Sequence, residues 1–112
     1  MKIDVIEDSS TTFLVLNGRL DTNSAAGAEK EISSCIESGA RNIVFDFTNV
    51  EYISSAGLRV ILKAAKQTRA VGGDMAIYGM REKIREVFEM SGFLNILTVR
   101  ENREAAVSAV KG

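Results

Sequence analysis

The feature that narrows the fold most is a pair of short apolar runs, "NIVFDF" (Asn42 to Phe47) and "DMAIYG" (Asp74 to Gly79), with one long helical pattern between them. Runs of this kind suit strands buried on both faces, which is the situation of parallel strands. Between them Leu58, Ile61, Leu62 and Ala65 recur at helical spacing, Arg59, Lys63 and Lys66 form a polar stripe, and Gly72-Gly73 supplies a stop. Strand, helix and strand in that order make a crossover unit, right-handed by strong precedent. A chain holding such a unit must place helices against the sheet, so an α/β fold is expected.

The flanking segments extend this unit. Lys2 to Ile6 and Thr11 to Leu16 are rich in strand formers and flank the polar "EDSST", which predicts an antiparallel hairpin. Ala25, Ala28, Ile32, Cys35 and Ile36 predict a first helix closed by Gly39. Arg81 to Met90 predicts a third, turning Ile84, Val87 and Phe88 inward and stopped by Gly92. A small strand, Ile96 to Val99, and a final helix capped by Asn102 and running toward Val110 complete the set. The expected architecture is a mixed, mostly parallel sheet with an antiparallel edge strand and about four helices. No proline marks a linker anywhere, and a single domain over 1–112 is expected.

Composition removes several classes of function. Fourteen Lys plus Arg stand against 15 Asp plus Glu, so no basic excess points to nucleic acid. With no His and one Cys, neither a Ser-His-Asp triad nor an ordinary zinc site can be assembled, and no metal or cofactor is expected. Cys35, spaced with Ile32 and Ile36, reads as a buried small hydrophobe rather than a nucleophile. The longest apolar runs fall far short of the ~20 residues of a membrane span, and no signal-peptide core opens the chain. A cytoplasmic protein without membrane insertion is expected.

In an open α/β sheet, sites gather where loops leave the carboxyl ends of the parallel strands. Here those loops are "GRLDTNS" (Gly18 to Ser24), "TNVEYISS" (Thr48 to Ser55) and "YGMR" (Tyr78 to Arg81). Ser54 and Ser55 stand together just before the long helix, where one capping serine suffices. A hydroxyl at a helix amino terminus is also well placed to carry a phosphate, because exposed N–H groups and the macrodipole favour the dianion. Asp46, near the end of its run, invites comparison with a phosphoaspartate receiver. That chemistry needs a magnesium-binding acidic cluster, and Asp21 stands alone after the first parallel strand.

Three of these stretches, "GRLD" (Gly18 to Asp21), "NIVFDFTNVEYISSAGLRVIL" (Asn42 to Leu62) and "FEMSGFLNIL" (Phe88 to Leu97), together resemble the STAS domain of bacterial anti-sigma factor antagonists. The resemblance covers nearly the whole chain in the same order of elements. It implies a regulatory binding protein rather than an enzyme. In that family the unphosphorylated antagonist binds an anti-sigma factor that is itself a serine kinase with a histidine-kinase-like ATPase fold, and the sigma factor is released. Phosphorylation of the antagonist ends the interaction, and a PP2C-type phosphatase resets it.

Aligning the family's acceptor motif on "SSAG" puts the phosphoacceptor at Ser55, with Ala56 and Gly57 following and Ser54 as the competing acceptor. Ser54 stands where Asp usually precedes the acceptor. The partner surface implied by the resemblance takes in Asp21, Thr22, Asn23, Ser54, Ser55, Ala56, Gly57, Leu58 and Arg59. Residue chemistry leaves two of these open: Asp21 or Asn23 suits a cap of the first helix, and Arg59 suits a solvated stripe with Lys63. The other function the resemblance allows is a STAS subunit of a transporter or lipid-export complex, or a small-ligand module.

Overall fold

The computed structural model describes residues 1–111; Gly112, the last residue of the expected domain, lies outside them. Five strands form one sheet in the order β1 (Lys2–Asp8), β2 (Thr11–Leu20), β3 (Asn42–Ile53), β4 (Asp74–Tyr78) and β5 (Val99–Arg100). β1 runs antiparallel to β2, and the remaining neighbours are parallel. Helices α1 (Ala25–Glu37), α2 (Ser55–Ala70), α3 (Glu82–Met90) and α4 (Arg103–Lys111) join and flank the strands.

Alternation along the strands divides the core in two. Leu14, Leu16, Ile43, Phe45, Phe47 and Ile77 face α1, α2 and α3, where Ile32, Ile61 and Phe88 meet them. Phe13, Val44 and Ala76 face the opposite way, against Ala106 and Val110 of α4. The parallel strands are therefore covered on both sides, which is why their sequences read as continuous apolar runs. Phe88 closes edge-to-face on Phe47 at 5.9 Å between ring centroids and anchors α3 to the middle of β3.

Several expectations are corrected. β2 and β3 run on to Leu20 and Ile53, so "GRL" and "TNVEYI" are strand rather than loop; two register irregularities let them stay paired. The expected strand Ile96 to Val99 shrinks to Val99–Arg100. A 3-10 turn at Phe93–Asn95 precedes it and leaves Ile96 exposed, while Leu97 is buried in the core and Val99 packs half-buried against it. On α2 the buried stripe is Leu58, Val60, Ile61 and Ala64, whereas Leu62 and Ala65 are half-buried. Cys35 is half-buried rather than buried. Its thiol is pushed up first by that burial and then by Glu31 and Glu7, which agrees with an inert sulfur.

Candidate functional site

The carboxyl end of β3 turns directly into α2, and two backbone bonds set the turn. The Ser54 N–H donates to the Leu20 carbonyl at 3.0 Å, tying the end of β3 to the end of β2, and the Leu58 N–H donates to the Ser54 carbonyl at 2.9 Å, starting the helix. This holds Ser54 in an extended conformation (φ −99°, ψ 175°), the geometry of an N-cap. Its hydroxyl accepts the Gly57 N–H at 3.2 Å. The two serines are thereby distinguished: Ser54 is the half-buried cap, and Ser55 is the exposed first residue of the helix, outside the capping bond.

Gly57 explains how α2 comes this close to β2. A Cβ placed there would lie 2.5 Å from the Leu20 carbonyl oxygen and 2.9 Å from Ile53 Cγ1, so the first turn can seat against the strand only with glycine at this position. Gly57 and Leu58 are both buried. They belong to the expected partner surface by position, but they hold the turn in place rather than face outward. Ala56 is half-buried and Arg59 is exposed, four residues from Ser55 on the same helical face.

The second wall is the turn between β2 and α1. Asp21 Oδ1 accepts the N–H groups of Asn23 (3.0 Å) and Ser24 (3.1 Å), while Ser24 Oγ donates to the Arg19 carbonyl at 2.7 Å. Asp21 closes the turn before α1, but neither Asp21 nor Asn23 is its N-cap: that position is Ser24, which makes no side-chain capping bond to the helix. The Ser24 N–H holds its carboxyl below the ordinary carboxylate range; slight burial opposes this, and Asn23, the Ser24 hydroxyl and Arg19 reinforce it. The Arg19 guanidinium lies 3.6 Å from Asp21 Oδ2 and 4.3 Å over the Tyr52 ring, linking the ends of β2 and β3 on the surface. Thr22 and Asn23 are exposed beside them.

Arg19 and Tyr52 were missed as site residues. The available signal was alternation: each immediately precedes a buried residue, Leu20 and Ile53, and so points outward once the strands are extended that far.

Only two of the three expected loops meet here. β4 ends at Tyr78, level with Asp46, and the Arg81 Nε–H donates to the Thr48 carbonyl at 3.1 Å, so "YGMR" stands about six residues back along β3, on the order of 20 Å from Ser54. Asp46 is not at a strand end either. It lies within β3, its two oxygens accepting the Thr48 N–H and the Tyr78 hydroxyl, both at 2.8 Å. Burial first, and then the Asp46 carboxylate, push the Tyr78 phenol up to about 12. Those bonds give Asp46 a structural assignment.

Among the described residues no group of three or more His, Cys, Asp or Glu side chains is placed to hold a metal ion, and no helix is long and apolar enough to cross a membrane. What the edge offers is an open polar surface: an exposed hydroxyl on a helix amino terminus, two arginines, an ordered carboxylate and a tyrosine, with a groove of about 510 Å³ beside Arg19, Asp21, Asn23 and Ser24. Such a surface suits protein docking and phosphate more than the enclosure of a small molecule.

Comparison with known proteins gives a consistent picture. The STAS domain family model matches residues 2–106. BtrV of Bordetella bronchiseptica, named as a candidate anti-sigma factor antagonist, is 40% identical over 111 residues, covering 99% of this chain and 96% of its own. A Thermotoga maritima protein of the same designation superposes with a TM-score of 0.92 at 22% identity, over 98% of this chain and 95% of that one. The Bacillus anti-sigma factor antagonist SpoIIAA has been solved both unphosphorylated (TM-score 0.75, 22% identity, 99% of both chains) and phosphorylated (TM-score 0.72, 23% identity, 96% and 97%).

Proposed function

The chain belongs to the STAS domain family, and from that premise we propose that it acts as an anti-sigma factor antagonist switched by phosphorylation of Ser55. The observation that carries the proposal is the division of labour at the double serine. Ser54 supplies the capping oxygen, so Ser55 is exposed and free to be modified without undoing the helix start. Asp, which usually stands at the position of Ser54 in the family, is an equally good N-cap, so the substitution keeps the cap and changes only the local charge.

In the proposed cycle the unphosphorylated chain binds an anti-sigma factor that is a serine kinase of histidine-kinase-like ATPase fold. The contact surface is the exposed edge formed by Asp21, Thr22, Asn23, Ser55, Ala56 and Arg59, widened by Arg19 and Tyr52. Phosphorylation adds about −1.5 to −2 charges at a helix terminus whose free N–H groups and dipole accept negative charge. Folding is therefore preserved, while a partner surface matched to a neutral hydroxyl meets bulk and uncompensated charge at its centre. A PP2C-type phosphatase returns the chain to its binding form.

The test is incubation with a serine-kinase anti-sigma factor and ATP, followed by intact mass and fragment mapping. The expected result is one added phosphate in the wild type and in Ser54→Ala, none in Ser55→Ala, and loss of kinase binding by the phosphorylated form. Phosphate on Ser54, or undiminished binding after modification of Ser55, overturns the proposal.

A further inference from the structure

Next to the candidate site, beyond β2, the sheet ends in an open edge. β1 pairs only with β2, and Val5 and Ile6 on it remain 47% and 51% exposed. Two grooves, of about 510 and 650 Å³, run between this strand and α1, one beside Met1 and Ile3 and the other beside Val5 and Glu7. A strand of this length with free backbone groups and apolar side chains is a template for another strand unless its sequence prevents it.

The free groups can be located. β1 and β2 are joined by the two-residue turn Ser9-Ser10, in which Ser9 has φ 58°, and Asp8 pairs with Thr11. A two-residue hairpin closes on a hydrogen-bonded pair, so Asp8, Ile6, Asp4 and Lys2 exchange their backbone bonds with β2. By the same alternation, Ile3, Val5 and Glu7 direct their N–H and C=O groups away from the sheet.

We propose that this edge is a self-association surface: two copies of the chain pair antiparallel through β1 about a two-fold axis at Val5. That register sets Val5 against the partner's Val5 and Ile3 against the partner's Glu7, joining the outward backbone groups in about six hydrogen bonds. On the other face it sets Lys2 against the partner's Asp8 and Asp4 against the partner's Ile6. Reversed on itself, the strand "KIDVIED" therefore opposes no like charges directly and matches Lys2 with Asp8 twice, while Asp4 and Glu7 face apolar side chains. Within each chain Lys2 lies 3.7 Å from Asp4 and Arg103 lies 3.4 Å from Asp8, so the two Lys2–Asp8 contacts across the axis join charges that already have partners in their own chain. The pairing gives each exposed Val5 an apolar neighbour. Because the strands run antiparallel, the two Ser55 edges fall at opposite ends of the joined sheet and both stay open.

The interface is narrow, so the dimer is a concentration-dependent one. Sedimentation velocity from about 10 µM to 1 mM is expected to show reversible dimerisation with a dissociation constant tighter than about 1 mM. Amide hydrogen exchange over the same range is expected to slow at Ile3, Val5 and Glu7 as concentration rises, with Asp4 and Ile6 protected throughout. Lys2→Glu, which sets a carboxylate against the partner's Asp8, is expected to weaken the dimer about tenfold at low salt and by less at high salt. Val5→Pro, which removes an N–H aimed at the partner rather than at β2, is expected to abolish it while thermal melting stays cooperative. A chain that stays monomeric to 1 mM overturns the proposal. So does a dimer in which the Ile3, Val5 and Glu7 amides exchange freely at every concentration, or one indifferent to both Lys2→Glu and Val5→Pro.

Discussion

Removing the two adjacent hydroxyls one at a time separates cap from acceptor. Ser54 Oγ accepts the Gly57 N–H at 3.2 Å in a half-buried turn. Ser54→Ala leaves that N–H without its partner, and the cost of losing such a cap is about 1 kcal/mol, within a range of about 0.5–2. Unfolding entropy near 2.1 cal/mol/K per residue over 112 residues converts this to a fall in Tm of about 4 °C. Ser55→Ala removes an exposed hydroxyl outside the capping bond, and alanine is the better helix former, so the expected change is within about 0.5 kcal/mol and can be favourable. Ser54→Asp is expected to restore the cap and to gain slightly from the dipole while the carboxylate is ionised. Urea denaturation with a common m-value, supported by calorimetry, measures all three. An equal loss in both alanine variants, or a loss confined to Ser55→Ala, refutes the assignment of roles and with it the reason for preferring Ser55 as the switch.

Other outcomes follow from the same geometry. Gly57→Ala drives a methyl into the Leu20 carbonyl and Ile53, and is expected to destabilise by about 1–3 kcal/mol and to weaken kinase binding by lifting the first turn of α2, as read by denaturation and titration calorimetry. Arg59→Ala is expected to leave the unmodified chain within about 0.5 kcal/mol of wild type yet to raise the second pKa of phosphorylated Ser55 in a phosphorus NMR titration, because the i,i+4 cation favours the dianion. An unchanged pKa removes Arg59 from the phosphate's surroundings. Tyr78 protonates more readily folded than unfolded, so its contribution to stability is complete below about pH 10 and is lost as pH rises toward about 12; Tyr78→Phe flattens that part of the curve. Asp21 has the opposite sign: its lowered pKa stabilises the fold above the ordinary carboxylate range near 4 and is lost as pH falls, a dependence that Asp21→Ala is expected to remove.

Much of this protein was legible in the order of its residues because the signals were local. Strand-forming runs around a polar turn set out the hairpin, periodicity set out the crossover unit around α2 and the inward positions of α3, and residue type set out the Asn102 cap, whose Oδ1 accepts the Ala105 N–H at 2.8 Å. Buried strands and amphipathic helices write their environment into successive side chains, so a window of ten residues suffices. The motif stretches likewise pointed to the STAS family and to the junction at Ser54 and Ser55.

What the tertiary structure decided were features that depend on a partner distant in sequence. "TNVEYI" is polar enough to read as loop and becomes strand only because Asn17 to Leu20 satisfy its backbone groups. "ILTV" is apolar enough to read as strand, but Ile96 and Leu97 find no strand beside them; β4 is met by the Thr98 carbonyl, Val99 and the following Arg100. The extension of β3 separated "YGMR" from the site and brought Tyr52 under Arg19. The difference between two identical neighbouring serines also came from outside their own stretch. A hydrogen bond from Ser54 to Leu20, 34 residues away in the chain, holds Ser54 in the capping conformation and so leaves Ser55 as the exposed hydroxyl. Sequence pattern reports which face a residue turns to the core; which of two like residues holds the turn depends on the strand that docks against it.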